Sequence, residues 1–194
     1  MFTNRLILFR LFLLPSLVLW LIAVQSVYEW NTGENAFRLS VSIEVNVPVD
    51  QVYTYLGNSE NAKTWSVYVS SIETLNTADF EDGQQGSVRR CYVKGSENKQ
   101  FWDEQILINQ ENRLRQLSIF NLNNFPLTAE NLITEQRYFS NEDGFCVLEF
   151  SLFFRENARF LDRIKMHFAS RIVRSIFEQN LQNIKKALEA KAHA

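Results

Sequence analysis

Phe37-Arg38-Leu39-Ser40-Val41-Ser42-Ile43-Glu44-Val45-Asn46-Val47-Pro48 alternates apolar and polar residues without a break until its proline. A side-chain period of two is the signature of a strand with one face buried and the other wet. Phe37, Leu39, Val41, Ile43, Val45 and Val47 form the expected core face, and Pro48 ends the strand. Val52, Tyr55 and Leu56 then recur at helical spacing behind Asp50 as an expected N-cap, and Gly57-Asn58 closes that helix. A second short helix is expected after Ser59, carrying Trp65.

Six more strands are predicted at 69–75, 86–93, 99–109, 113–121, 131–140 and 145–154. Polar, glycine-bearing clusters such as Glu81-Asp82-Gly83, Lys94-Gly95-Ser96 and Asn141-Glu142-Asp143-Gly144 separate several of them, as hairpin loops require. After Asn157 the period becomes helical: Phe160, Ile164, Phe168, Ile172, Ile176, Leu181, Ile184 and Leu188 are read as one apolar stripe running to the C-terminus. The order is strand, two short helices, a six-strand meander and a long helix. It predicts an α+β domain in which a curved antiparallel sheet of about seven strands is wrapped on the C-terminal helix.

This arrangement resembles the SRPBCC or START-like helix-grip superfamily, which includes START lipid-transfer domains, birch-pollen-allergen-like proteins and polyketide cyclase/dehydrase-like proteins. The resemblance covers about residues 37–188. It rests on Val45-Asn46-Val47-Pro48-Val49-Asp50-Gln51-Val52-Tyr53, on Trp65, on Gly86-Ser87-Val88-Arg89-Arg90-Cys91, and on Glu104-Gln105-Ile106 leading to Asn112-Arg113-Leu114. It implies a cavity between sheet and long helix that holds a hydrophobic or lipid-like small molecule. It also implies a structural role for Trp65. Because the superfamily includes carriers, receptors and enzymes, the fold leaves the function open.

Ahead of this domain, the stretch from Leu6 to Val27 is apolar except for Arg10, Ser16, Gln25 and Ser26. About twenty such residues span a bilayer. Residues 1–30 are therefore expected to be a transmembrane anchor and residues 37–192 the ligand-binding domain. Trp20, Tyr28 and Trp30 are candidates for the interface at the far end. Arg5 and Arg10 precede the span and Glu29 and Glu34 follow it, which puts the N-terminus in the cytoplasm and the domain outside. A signal peptide cleaved near Val24-Gln25-Ser26 is the alternative.

With 194 residues, one domain and a short extra segment account for the length. Lys and Arg total 20 against 22 Asp and Glu, so no general electrostatic drive toward nucleic acid exists. Sixteen Phe, 4 Trp and 6 Tyr can fill a core or line a pocket. Cys91 and Cys146 have no metal-ligand spacing, and neither a HExxH nor a P-loop pattern occurs, so no metal or cofactor is implied.

Trp102, Glu104, Ile106 and Ile108 share one strand face, so Glu104 faces the cavity if its apolar neighbours do. Arg89 on the adjacent strand is its natural partner, either as a buried pair that reads the ligand or as a solvated pair at the rim. Arg89, Trp102, Glu104, Ile106 and Phe168 are the expected ligand contacts. Arg159, Arg163, Lys165, Arg171 and Arg174 make the first half of the last helix basic, as a solvated face or a surface for anionic headgroups.

Three functions fit these observations. The first is a membrane-tethered protein that binds or transfers a hydrophobic molecule. The second is a cyclase or dehydratase drawing on Glu104, Arg89, Tyr92 and His167. The third is a protein-interaction module whose cavity is filled by its own side chains.

Overall fold

The computed structural model describes residues 17, 26–97, 99–124, 132–155 and 159–192. Apart from Leu17 and its final residues Ser26 and Val27, the expected transmembrane segment lies outside the described residues. Among the described residues no helix is long and apolar enough to cross a membrane.

The chain folds as β1 (Glu29–Asn31), β2 (Ala36–Val45), α1 (Val49–Gly57), a 3-10 turn (Ser59–Asn61), α2 (Ala62–Trp65), β3 (Val69–Thr74), β4 (Val88–Val93), β5 (Phe101–Gln110), β6 (Leu114–Asn123), β7 (Leu132–Ser140), β8 (Cys146–Arg155) and α3 (Phe160–Ala192). The strands form one antiparallel sheet in the order β1-β2-β8-β7-β6-β5-β4-β3. This is the predicted meander, with the first long strand closing against the last. Irregular pairings at Phe101/Asp103 and Ile106/Ile108 are bulges that add curvature.

The sheet has eight strands rather than about seven. Glu29–Asn31 pairs with the start of β2, Trp30 opposite Phe37, where the sequence reads as a tail of the apolar segment. Tyr28, expected at a membrane interface, is instead buried in the core, its ring edge-on to Phe154 at 5.1 Å. Ser26 Oγ lies 2.8 Å from His167 Nδ1, and the Val27 N–H donates to Ser170 Oγ at 3.2 Å. The packed structure therefore reaches back to Ser26.

Inner residues of β2, β7 and β8 meet α3 in two groups. Val45, Tyr138, Leu148 and Phe150 pack with Leu181, Ile184 and Leu188, while Leu39, Leu132, Leu152 and Phe154 pack with Met166 and Val173. α3 is also pinned laterally, by Val67 N–H to Asn180 Oδ1 at 2.8 Å and by Asn183 Nδ2 to Trp65 O at 3.0 Å.

The apolar stripe of α3 is not the one expected. Phe160, Phe168 and Ile172 are exposed, while Met166, Ser170 and Val173 take the inner face. The expected stripe advanced from Phe160 to Ile176 by steps of four. Each such step overshoots a 3.6-residue turn by about 40°, so the row winds off the face it starts on. Inner positions 166, 170, 173, 177, 181, 184 and 188, of which Phe177 is half-buried and the others buried, mix steps of four with steps of three, which holds them on one side.

The start of α1 also differs. Pro48 occupies the N-cap with no side-chain cap, and Asp50 lies within the first turn. At the 3-10 turn Asn58 does cap, its side chain accepting from the Glu60 N–H at 2.9 Å.

Trp65 packs its ring against Phe150, centroids 6.1 Å apart, and joins α2 to the main core. Trp65→Ala should cost about 3–5 kcal/mol, read by denaturant unfolding of the full chain in detergent micelles.

Burial of His167, with Arg163 nearby, holds its imidazole below its ordinary value of 6.5. The folded state thus resists protonation. Its contribution is complete above about pH 6.5 and is lost as pH falls from there through the lowered folded value. His167→Gln should flatten the change in melting temperature between pH 7.5 and 5.5 relative to wild type. Parallel curves for the two chains would contradict this.

Candidate functional site

Between the concave face of the sheet and the middle of α3 lies a cavity of about 300 Å³, at the lower end of the range for small-molecule sites. Leu117, Ile119, Leu132, Val173, Ile176 and Phe177 give it largely apolar walls. It lies where α3 presents Ala169, Ile172 and Ile176, on the stretch between the packed Met166 and Leu181.

One ion pair interrupts this apolar wall. Arg89 and Glu104 are directly opposed across β4 and β5, which places both side chains inward at the same level. Arg89 Nη2 donates to Glu104 Oε1 at 2.5 Å, and the two residues are only 4% and 9% exposed. The pair is therefore buried and does not sit at a solvated rim. Arg89 Nη1 donates to Ser59 Oγ at 3.1 Å, and Ser59 donates to Asp82 Oδ1 at 2.7 Å. Trp102 Nε1 approaches the second Glu104 oxygen at 3.4 Å. Burial works against the Arg89 charge, but the fields of Glu104 and Asp82 outweigh it and hold the guanidinium above its ordinary value.

Asp82 reaches Ser59 because Gly83, at φ +81°, brings its loop against α1. A Cβ on Gly83 would lie 2.6 Å from the Gly57 carbonyl oxygen. Arg89 Nε is buried and, among the described residues, has no hydrogen-bond partner.

Of the expected contacts, Arg89, Trp102 and Glu104 line the cavity, as does Trp65. Ile106 is buried on the same strand but is not part of the lining. Phe168 is 57% exposed and points away from it, for the helical reason given above. Tyr92 donates to Glu73 at 2.6 Å and His167 packs between Tyr28, Phe37 and Phe154, so neither reaches the cavity. Cys91 does line it, but burial, reinforced by Glu104, pushes its thiol well above the ordinary range and keeps it protonated.

Arg115 is the principal residue not anticipated. It is 2% exposed and, among the described residues, has no carboxylate within ion-pair distance. Its guanidinium lies 4.6 Å from the Tyr53 ring centroid, and Nη1 donates to Gln136 Oε1 at 3.1 Å and to Tyr138 Oη at 3.3 Å. Gln136 in turn lines the cavity, so this buried cation stands directly behind its wall. The alternation Arg115, Leu117, Ile119 was the available signal, because it puts Arg115 on the inner face of β6.

A family model described as polyketide cyclase / dehydrase and lipid transport matches residues 36–189. No curated protein matches the sequence. Among solved structures, the ZhuI aromatase/cyclase from Streptomyces sp. R1128 is similar, with a TM-score of 0.63 at 16% identity over 81% of this chain and 96% of that one. XoxI from Bacillus cereus gives 0.60 at 18% identity over 81% and 99%. Norcoclaurine synthase from Thalictrum flavum, solved with dopamine and hydroxybenzaldehyde, gives 0.59 at 12% over 86% and 90%. At these identities the likeness is one of fold.

The burial of the pair predicts a non-additive cycle. Arg89→Met alone strands a carboxylate and should cost about 3–5 kcal/mol, whereas Arg89→Met with Glu104→Leu should be nearly neutral. Independent single losses below about 1 kcal/mol, adding in the double variant, would indicate a solvated pair instead.

Proposed function

The chain belongs to the polyketide cyclase / dehydrase and lipid transport family, and we propose that it is a membrane-tethered carrier for a hydrophobic molecule with an uncharged polar end. The observation that carries this reading is the apolar cavity interrupted by one internally balanced pair, Arg89 and Glu104. An apolar body is favoured along walls built from Leu117, Ile119, Leu132 and Val173, because burying it removes its surface from water. The polar end meets charges that already neutralise one another, with Asp82 4.0 Å from Arg89 adding a further negative charge. A carboxylate arriving beside the pair would face two acids for one arginine, since Arg115 stands behind Gln136 and outside the lining. A hydroxyl or carbonyl group would find donors and acceptors without that repulsion.

Tethering is supported by residues 6–24, apolar but for Arg10 and Ser16, from which only Gln25 separates Ser26 at the start of the packed structure. On this reading residues 1–30 contain the anchor, and the positive charges before it leave the domain on the extracytoplasmic side. The reading of the cavity as filled by its own side chains is opposed by its open volume of about 300 Å³. The cyclase or dehydratase reading needs acid and base groups at the substrate, and two of its four candidates, Tyr92 and His167, lie outside the lining.

The test is chemical analysis of what the full chain carries. Solvent extraction and mass spectrometry of protein purified in detergent should recover an uncharged amphipathic molecule. Ala169→Phe, which adds a ring to the helix side of the cavity, should reduce its recovery about tenfold or more. A fluorescent fatty alcohol should bind wild type more tightly than the matching fatty acid at neutral pH. Equal loading of wild type and Ala169→Phe would remove the cavity from the account. Tighter binding of the acid would remove the balanced pair from it.

A further inference from the structure

We infer that the first half of α3 lies on an anionic lipid bilayer, with the cavity opening onto that surface beside Ile172. This rests on the membrane-tethered reading and adds to it an orientation and a route for the ligand.

The face of α3 opposite Met166, Ser170 and Val173 carries Phe160, Leu161, Phe168 and Ile172, exposed by 65%, 68%, 57% and 65%. At 100° per residue these four fall within an arc of about 120°. They form one continuous apolar stripe on an otherwise polar exterior, whereas other exposed large apolar residues such as Leu75, Leu107 and Phe139 stand on separate strands or loops. Between Arg159 and Ile176 there are five basic residues, Arg159, Arg163, Lys165, Arg171 and Arg174, and one acid, Asp162. Exposed Lys165, Arg171 and Arg174 border or interrupt the stripe. An apolar stripe edged with cations is the composition that seats a helix in the headgroup region of anionic lipid.

The course of the chain makes the same assignment independently. Ser26 is fastened to His167, which borders the stripe beside Phe160 and Phe168, and Val27 to Ser170 on the buried side of the same turns of α3. The apolar run ends at Val24, and two extended residues reach only ~7 Å. If that run crosses the bilayer, no linker separates the membrane surface from this part of α3. Trp30, 41% exposed, stands at the same end of the domain, since its ring contacts Phe37 and Phe37 contacts His167. Ile172 is both a member of the stripe and a residue of the cavity lining. A molecule can then pass between lipid and cavity at Ile172 without crossing bulk water.

The full chain in phosphatidylcholine/phosphatidylglycerol vesicles can test this with a fluorophore attached at Leu161→Cys or Phe168→Cys, and at Phe139→Cys on β7 as a control. Cys91 and Cys146 are both buried, so labelling is directed to the introduced thiol. Bromine or nitroxide carried on the lipid acyl chains should quench the labels at 161 and 168 roughly threefold more than the label at 139. Arg171→Glu with Arg174→Glu should weaken that quenching on anionic vesicles and leave it unchanged on pure phosphatidylcholine. Aqueous iodide quenching the label at 168 as strongly as that at 139 would overturn the inference. So would a label reached by neither quencher, the result expected if the N-terminal segment or a second copy covered the stripe. Carbonate extraction reads the tether separately. A chain that washes off after showing lipid quenching keeps the docking face and loses the anchor, whereas a retained chain with an iodide-accessible label keeps the anchor and loses the docking face.

Discussion

An antiparallel sheet whose inner face is largely apolar has to be covered, and here a single helix does most of the covering. α3 achieves this with two sets of contacts, one through Met166 and Val173 and one through Leu181, Ile184 and Leu188. The cavity lies along α3 between Met166 and Leu181, against the inner face of the sheet. Ala169 marks the gap on the helix side, and the opposing residues on β6 and β7 are Leu117, Ile119 and Leu132. Side chains that closed the gap would have to come from α3 near Ala169, where the sequence supplies a small residue.

Within that apolar space the Arg89–Glu104 pair is a weak source of stability. Desolvating two charges costs several kcal/mol per ion, and their attraction returns this only when the remaining donors and acceptors are met. Here they are nearly met: Ser59 and Glu104 take the two terminal nitrogens of Arg89, while Trp102 approaches the free carboxylate oxygen. The remaining Nε has no partner among the described residues. Arg115 is handled differently, by an aromatic face and two neutral oxygens, so that a cation is kept behind Gln136 without a counter-ion among the described residues. The cavity is thereby flanked by one balanced and one unbalanced arginine.

The strands and their order were legible because alternation is a short-range signal that tertiary context rarely overrides over nine or ten residues. β5, β6, β7 and β8 begin within two residues of their expected positions. The pairing of Arg89 with Glu104 was legible for the same reason, since it needed only the meander and the two alternation patterns. What failed was read at lower resolution. Rows at i+4 in α3 drift around the helix, so Phe168 was assigned to a face that Val173 and Met166 occupy. β1 escaped notice because three residues, Glu29 to Asn31, are too few to show a period and adjoin an apolar run of another kind. Arg115 escaped because charge alone suggests solvent, although its place in the Leu117–Ile119 alternation says otherwise.

The exposed stripe on α3 was concealed by the same drift, and its position carries a structural consequence. Phe160, Leu161, Phe168 and Ile172 lie outside the buried core, and their exposed area forgoes part of the roughly 1.5–3 kcal/mol that complete burial of each would give. A chain that needed only a soluble exterior there could place polar residues at these four positions without disturbing Met166, Ser170 or Val173. Retaining them beside the docked Ser26–Tyr28 segment ties three features to one end of the molecule: the approach of the apolar N-terminal run, the unburied helix face and the edge of the cavity at Ile172. His167 is the joint between them, since it receives Ser26, contacts Phe37 and immediately precedes Phe168.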